Sequence, residues 1–111
     1  MNHENLAVLG AGGWGIAISN LLAEKGYSPK LWEFDPVACE KLKSTRLLPS
    51  KLSGITIHDD VAITNDITEA ISDADFVICV VPSQTLRVTI RKLAEVKFTR
   101  KPIIVNLAKG I

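Results

Sequence analysis

Four glycines fall within residues 10–15, directly after the short apolar run Leu6–Leu9. Glycine is costly inside a helix or a strand, so this cluster predicts a turn. The run before it has the length and composition of a buried strand, and the apolar stretch after it stops at Gly26, a residue that commonly ends helices. Residues 6–26 are therefore expected to form a strand, a tight turn and a helix.

Short apolar runs and helical patterns alternate along the rest of the chain. In the first helix, one apolar stripe is predicted to contain Trp14, Ile18, Leu21 and Leu22. Further strands are predicted at residues 30–34, 55–58, 76–81 and 103–107.

The remaining helices have recognisable starts. Asp35 and Pro36 are suited to begin the second helix, because aspartate caps and proline at the first position loses no hydrogen bond. A short helix is predicted over Thr68 to Ser72. The last helix is expected to be capped by Ser83 and to carry three apolar residues on one face: Leu86, Ile90 and Leu93. This alternation predicts an α/β fold with a doubly wound parallel sheet, as one domain over residues 1–111.

Composition excludes several classes of function. The formal net charge of +1 argues against nucleic acid or an anionic membrane as the main partner. We find neither a long apolar span nor a signal-peptide pattern, so a cytoplasmic protein is expected. Cys39 and Cys79 form no CxxC pair, and Cys79 is expected to be buried. Because His3 and His58 lie apart from any acidic cluster, no metal site is predicted.

The glycine cluster fits G-x-G-x-x-G through Gly10, Gly12 and Gly15. Following a strand and opening a helix, this pattern is typical of dinucleotide binding. Gly10 permits the sharp turn, Gly12 removes a Cβ that would block a pyrophosphate, and Gly15 allows close packing of the helix on the sheet. The N–H groups of the first helical turn then point at the anion. A plain tight turn is the alternative.

The end of the second strand should distinguish NAD from NADP. Glu33 and Asp35 lie near the position of the acidic residue that accepts from the ribose diol. Residues 32–39 contain no Arg or Lys, so a 2′-phosphate would meet acidic neighbours. NAD is favoured over NADP. Asp35 could instead only cap its helix, in which case Glu33 contacts the diol.

Two other strand ends carry polar groups. Pro82, Ser83 and Gln84 follow the fourth strand, and Lys109 follows the fifth. Ligands of open parallel sheets bind beyond the carboxyl ends of strands, so a lysine there could bind a phosphate or polarise a carbonyl. A solvated loop lysine is the alternative.

Together these motifs resemble the glycerol-3-phosphate dehydrogenases. The matching stretches, in order, are VLGAGGWGIAIS, LW, LLP, DADFVICVVPSQ, Arg87 and AKGI. The resemblance implies a Rossmann-type cofactor domain, cut from a longer chain whose helical C-terminal domain is absent. It also implies an oxidoreductase that interconverts dihydroxyacetone phosphate and glycerol 3-phosphate with a nicotinamide cofactor, in the supply of glycerophospholipid precursors.

The resemblance also implies roles for particular residues. Gly13 and Trp14 would touch the dinucleotide, Phe34 would lie against its adenosine end, and Pro82 and Ser83 would contact it from the fourth strand. Lys109 would approach both nicotinamide and substrate and act in catalysis. Aromatic and acidic residues around Phe34 match the NAD-specific members.

Ser44 and Leu47 depart from the family pattern, which leaves the cofactor contacts of that loop open. The chain alone is expected to be inactive, because a second catalytic lysine and the main substrate-phosphate contacts belong to the missing domain. The full-length protein could form a homodimer. Two alternatives stand beside this hypothesis: the cofactor domain of another NAD-dependent dehydrogenase, acting on a sugar nucleotide or hydroxy acid, and a non-catalytic NAD-sensing module.

Overall fold

The structure, a computed structural model, describes residues 4–47 and 55–107. Strands and helices alternate strictly along them. The five strands are β1 (Leu6–Leu9), β2 (Lys30–Trp32), β3 (Ala62–Thr64), β4 (Phe76–Cys79) and β5 (Ile103–Asn106). The four helices are α1 (Gly13–Glu24), α2 (Pro36–Thr45), α3 (Ile67–Ile71) and α4 (Ser83–Glu95).

All five strands are parallel and form one sheet in the order β3-β2-β1-β4-β5. The chain moves outward from β1 to β3, returns to the centre at β4, and then moves outward in the opposite direction to β5. The reversal lies between β1 and β4, whose central residues Val8 and Ile78 are register partners. This doubly wound topology confirms the predicted fold class, and the gap between β1 and β4 is its topological switch point.

The two directions of winding place helices on both faces of the sheet. On one face, Ile16 and Ala23 of α1 join Cys39 and Leu42 of α2 in a core cluster with Val8. On the other face, α3 and α4 pack on a second cluster that contains Leu9, Trp32, Val77 and Cys79. Because helices cover both faces at the centre, β1 is buried at every position.

The third strand was predicted at the wrong place. Residues 55–58 contain no strand; Thr56 makes one antiparallel bridge to Leu47, and the paired strand lies at Ala62–Thr64. Side chains fix this preceding loop to α1, since Asn20 donates to the Thr56 carbonyl at 2.9 Å and accepts from the His58 backbone N–H at 2.8 Å. The strand is only three residues long, and the alternating apolar residues Ile55 and Ile57 gave a competing strand pattern nearby.

The predicted apolar stripe of α1 was half right, because Ile18 and Leu22 pack against the core cluster. Trp14 and Leu21 are exposed, and the buried residues of the helix are Gly15, Ile16, Ser19 and Ala23. This buried face consists mostly of small residues, which allow the helix to approach the sheet closely. The predicted close packing at Gly15 continues along this face through Ser19 and Ala23, whereas hydrophobicity alone wrongly added Trp14 and Leu21 to it. The Ser19 hydroxyl is buried, and no described atom is its hydrogen-bond partner.

Helix α4 differs from its prediction in two respects. Ser83 is its first residue, and Pro82 stands at the N-cap position. Ile90 is exposed, whereas Thr89 is fully buried and donates its hydroxyl to the Thr85 carbonyl at 2.9 Å. Leu86 and Leu93 pack on the core as predicted. By contrast, α2 begins as predicted, with Asp35 at its N-cap and proline in the first turn.

Both cysteines are buried as free thiols. Burial is the main cause that raises the pKa of each thiol. Within residues 4–47 and 55–107, no group of three His, Cys, Asp or Glu side chains could hold a metal ion. In the same part of the chain, every helix is too short or too polar to cross a membrane.

Candidate functional site

A cleft of about 550 Å³ opens at the carboxyl ends of β1, β2 and β4, above the switch point. It brings together three segments that lie far apart in the sequence. Its lining residues are Gly10, Ala11, Gly12, Gly13, Trp14, Gly15, Glu33, Phe34, Asp35, Val80, Val81, Pro82 and Thr85. Ligands of doubly wound sheets bind at this position, so the topology alone marks the cleft as the candidate site.

Gly10 and Gly15 are required by the shape of the turn. Gly10 has φ +113°, and a Cβ there would lie 3.0 Å from the Val80 and Val81 backbone. A Cβ on Gly15 would lie only 1.7 Å from the Gly10 carbonyl oxygen. The predicted close approach at Gly15 is therefore real, but its nearest neighbour is the backbone of the turn itself.

Gly12 and Gly13 have a different reason to lack a side chain. No described atom lies within 4 Å of a Cβ built on either residue. Protein packing therefore does not explain these two glycines. Both residues line the cleft at the start of α1, as expected if a ligand approaches the backbone there.

The helix N-termini at this edge of the sheet fall into two groups. Asp35 caps α2 by accepting from the Val37 N–H at 3.0 Å, and Asp66 caps α3 by accepting from the Thr68 N–H at 3.0 Å. At α1 and α4 the N-cap residues are Gly12 and Pro82. In the part of the chain that the structure describes, neither helix has a side-chain cap or an acidic residue in its first turn. The uncapped helices are the two that begin at the switch point.

Two carboxylates lie at the β2 side of the cleft. The Glu33 carboxylate accepts from the Asp35 backbone N–H through Oε2 at 2.8 Å, and Asp35 uses Oδ1 for its cap. Each carboxylate therefore has one oxygen committed to the local backbone. The second oxygens, Oε1 of Glu33 and Oδ2 of Asp35, are the ones that could accept hydrogen bonds from a ligand.

Phe34 lies between these carboxylates, and three residues from other elements hold it. Its ring packs edge-on against buried Trp32, with centroids 6.0 Å apart and planes at 88°. Asn65 donates to the Glu33 and Phe34 carbonyls at 2.8 and 2.9 Å. The ammonium of Lys92 lies over the Phe34 ring, 5.9 Å from its centroid.

Most of the predicted site residues converge. The cleft contains Gly10, Gly12, Gly13, Trp14, Gly15, Glu33, Phe34, Asp35 and Pro82, and Ser83 is exposed at the first turn of α4. Lys109, together with the rest of its AKGI motif, lies outside the described residues, as do His3 and most of the LLP motif.

Sequence reasoning missed Thr85, Asn65 and Lys92. Thr85 could have been found from its position one helical turn into α4, next to Pro82. Asn65 and Lys92 reach Phe34 only through the packing of distant elements, and no sequence pattern marks them. Lys92 also places a cation beside Phe34, although residues 32–39 contain no Arg or Lys.

The family is decided by comparison with known sequences. The sequence model of the family described as NAD-dependent glycerol-3-phosphate dehydrogenase N-terminus matches residues 5–111. The chain belongs to this family. Its fold and its cleft at the switch point agree with that assignment to an NAD-binding domain.

Curated members of the family are similar over nearly the whole chain. The glycerol-3-phosphate dehydrogenase [NAD(P)+] of Prosthecochloris aestuarii is 42% identical over 106 residues, which is 96% of this chain and 32% of that protein. The enzyme of the same name from Carboxydothermus hydrogenoformans is 40% identical over 111 residues, which is 100% of this chain and 33% of that protein. The chain thus spans about a third of the length of these relatives.

A solved structure shares the fold. The glycerol-3-phosphate dehydrogenase of Coxiella burnetii superimposes with a TM-score of 0.87 at 23% identity, covering 97% of this chain and 33% of that one. At this level of identity, the likeness establishes the Rossmann-type fold. The family assignment comes from the sequence matches.

Proposed function

We propose that residues 1–111 supply the cofactor-binding part of a glycerol-3-phosphate dehydrogenase that uses NAD. The single observation behind this proposal is the open space at Gly12, beside an uncapped helix N-terminus at the switch point. The NAD(P)+ dehydrogenase names of the relatives support the reaction class. The substrate pair would be dihydroxyacetone phosphate and glycerol 3-phosphate, in a cytoplasmic enzyme.

The pyrophosphate would lie against the glycine turn. Gly12 and Gly13 leave the backbone accessible, and the first N–H groups of α1 would donate to the phosphate oxygens. Gly10 and Gly15 would act indirectly by fixing the turn. Trp14, whose side chain is 79% exposed, would cover part of the dinucleotide, which explains a large aromatic residue outside the core.

The adenosine end would bind between β2 and the start of α4. Phe34 offers an exposed ring, and the free oxygens of Glu33 and Asp35 could accept hydrogen bonds from the ribose diol. A 2′-phosphate would bring further negative charge toward both carboxylates. This local charge supports NAD over NADP.

The nicotinamide end would extend past Pro82 and Ser83 toward the end of β5. When bound, the cofactor supplies or accepts the hydride. Lys109 would hold the substrate and polarise its carbonyl, since an ammonium stabilises negative charge that develops on that oxygen. We propose that the proton comes from a group outside residues 1–111, so that this chain binds the cofactor without turnover.

Titration of this chain with NADH and NADPH tests the cofactor proposal. Trp14 is exposed and Trp32 is buried, so quenching of the exposed tryptophan reports binding, with Trp14→Phe as the control that removes the signal. We expect NADPH to bind about tenfold or more weakly than NADH, owing to like-charge repulsion. Equal affinities, or a preference for NADPH, would overturn the roles given to Glu33 and Asp35.

The catalytic proposal needs the full-length enzyme. Lys109→Met should lower kcat for dihydroxyacetone phosphate reduction by about a hundredfold or more, the loss typical of one electrostatic group in a transition state. Lys101→Met, at an exposed lysine outside the cleft, is the matched control and should leave kcat unchanged. Equal rates for the two variants would remove Lys109 from the mechanism.

A further inference from the structure

Phe34 lines the cleft, and side chains from two other elements contact its ring. The residue is 39% exposed, yet its ring contacts both Trp32 from the preceding strand β2 and Lys92 from the C-terminal half of α4. Trp32 is itself fixed, because its indole N–H donates to the Asn65 carbonyl at 2.9 Å. Asn65 in turn donates to the Phe34 carbonyl.

The ring of Phe34 therefore has two kinds of neighbour, an aromatic ring and a cation. Trp32 packs against it at nearly a right angle, which is a favoured arrangement of aromatic pairs. Lys92 lies over the ring, where a cation is attracted by the π-electrons. A ring held in this way loses little conformational freedom when a ligand stacks on it, so less of the binding free energy is spent on ordering.

We infer that Lys92 is a positioning residue, which holds the Phe34 ring as a preformed wall for the adenine base of the dinucleotide. This inference rests on the proposed function, because it requires the adenosine end to bind at Phe34. Lys92 would act through Phe34 and would make no contact with the ligand. The side chain comes from a helix 58 positions away, which explains why the local sequence around β2 does not reveal it.

ADP-ribose, which is the dinucleotide without its nicotinamide ring, is the probe for this role. Calorimetric titration of this chain should show that Lys92→Met weakens ADP-ribose binding about two- to fivefold, the fold-change that corresponds to an exposed cation–π pair. Methionine retains most of the apolar stem and removes the charge. Lys92→Arg should restore wild-type affinity, and Lys97→Met, at an exposed lysine beyond α4, should leave it unchanged.

A second pair of variants separates positioning from direct contact. In a Phe34→Leu background, Lys92→Met should have no further effect on ADP-ribose binding, because the ring through which it acts is gone. An undiminished effect in that background would overturn the inference. So would a larger loss for 2′-phospho-ADP-ribose than for ADP-ribose, since that result would make Lys92 a phosphate ligand. No effect of Lys92→Met in the wild-type chain would also overturn it.

The same binding experiments distinguish failure of the proposed function from failure of the role given to Lys92. If Phe34→Leu itself leaves ADP-ribose affinity unchanged, or if the wild-type chain does not bind ADP-ribose, the adenosine end does not bind at Phe34, and both proposals fall. If Phe34→Leu weakens binding and Lys92→Met does not, only the role of Lys92 fails. The melting temperature of each variant shows whether it is folded before its affinity is compared.

Discussion

Helices α1 and α4 begin at the two central strands of the sheet, and helices α2 and α3 begin at the two outer strands on one side. Aspartate side chains cap the outer pair, at Asp35 and Asp66. Throughout the described residues, the central pair has no side-chain cap. A cap of this kind contributes about 1 kcal/mol to stability, so the central helices forgo a stabilising contact that the outer helices have. We attribute the difference to a ligand that takes the free N–H groups at the switch point.

Helix α2 is an intermediate case. Asp35 caps it and also lines the cleft, with Oδ1 bound to the Val37 N–H and Oδ2 available. Asp66 also caps α3 through one oxygen. It follows the edge strand β3, and it is not among the residues that line the cleft. Asp66 is therefore a cap that only stabilises its helix, whereas Asp35 is a cap that could also contact a ligand.

The largest expected effect concerns the glycines of the turn. Gly15→Ala should destabilise the chain by about 3 kcal/mol or more, because its Cβ would lie 1.7 Å from a backbone carbonyl oxygen that cannot move freely. Gly13→Ala is the matched control and should be neutral or stabilise by up to about 1 kcal/mol, since no described atom obstructs its Cβ and alanine favours the helix. Urea unfolding measures both. If both variants lost the same free energy of unfolding, protein packing would not distinguish Gly15 from Gly13.

The capping aspartates should give an effect of intermediate size. Asp66→Ala and Asp35→Ala should each lower the free energy of unfolding by about 1 kcal/mol. Only Asp35→Ala should also weaken NADH binding, which titration of both variants measures. A comparable loss of NADH affinity in Asp66→Ala would break the distinction between the two caps.

The smallest effect is expected at the buried face of α1. Ser19→Ala removes a hydroxyl that no described group satisfies, so it should be neutral or stabilise by up to about 1 kcal/mol. Thr89→Val provides the comparison in α4, because it removes a buried hydroxyl that does donate a hydrogen bond, and it should cost about 1 kcal/mol. If Ser19→Ala were the more costly change in thermal unfolding, its hydroxyl would have a partner in solution.

Local chemistry explains what could be predicted from the sequence. The strand and turn at residues 6–15, the Asp35 cap and the apolar strand that begins at Phe76 each depend on neighbouring residues, and each lies where its pattern indicated. The convergence of the β1, β2 and β4 ends followed from the parallel topology. These features required no knowledge of how distant side chains pack.

The predictions that failed, and the residues that were missed, depend on packing between distant elements. Hydrophobicity wrongly assigned Trp14 and Leu21 to the buried face of α1, whereas the residues most deeply buried there are mostly small. The position of β3 depended on pairing with β2 rather than on its own composition. Lys92 reaches Phe34 only through the packing of α4 on the core cluster that contains Trp32. Each of these depends on contacts between elements, which a single sequence encodes only weakly.

The central claim is that the N-terminus of α1 is uncapped because it binds the dinucleotide pyrophosphate. Gly12→Asp tests it most directly, since it adds a capping carboxylate at the N-cap of α1, where a Cβ has room. We predict that melting curves without ligand show Gly12→Asp to be as stable as the wild type or slightly more stable. Saturating NADH should raise the melting temperature of the wild type and leave that of Gly12→Asp unchanged. An equal rise in both proteins would contradict the account.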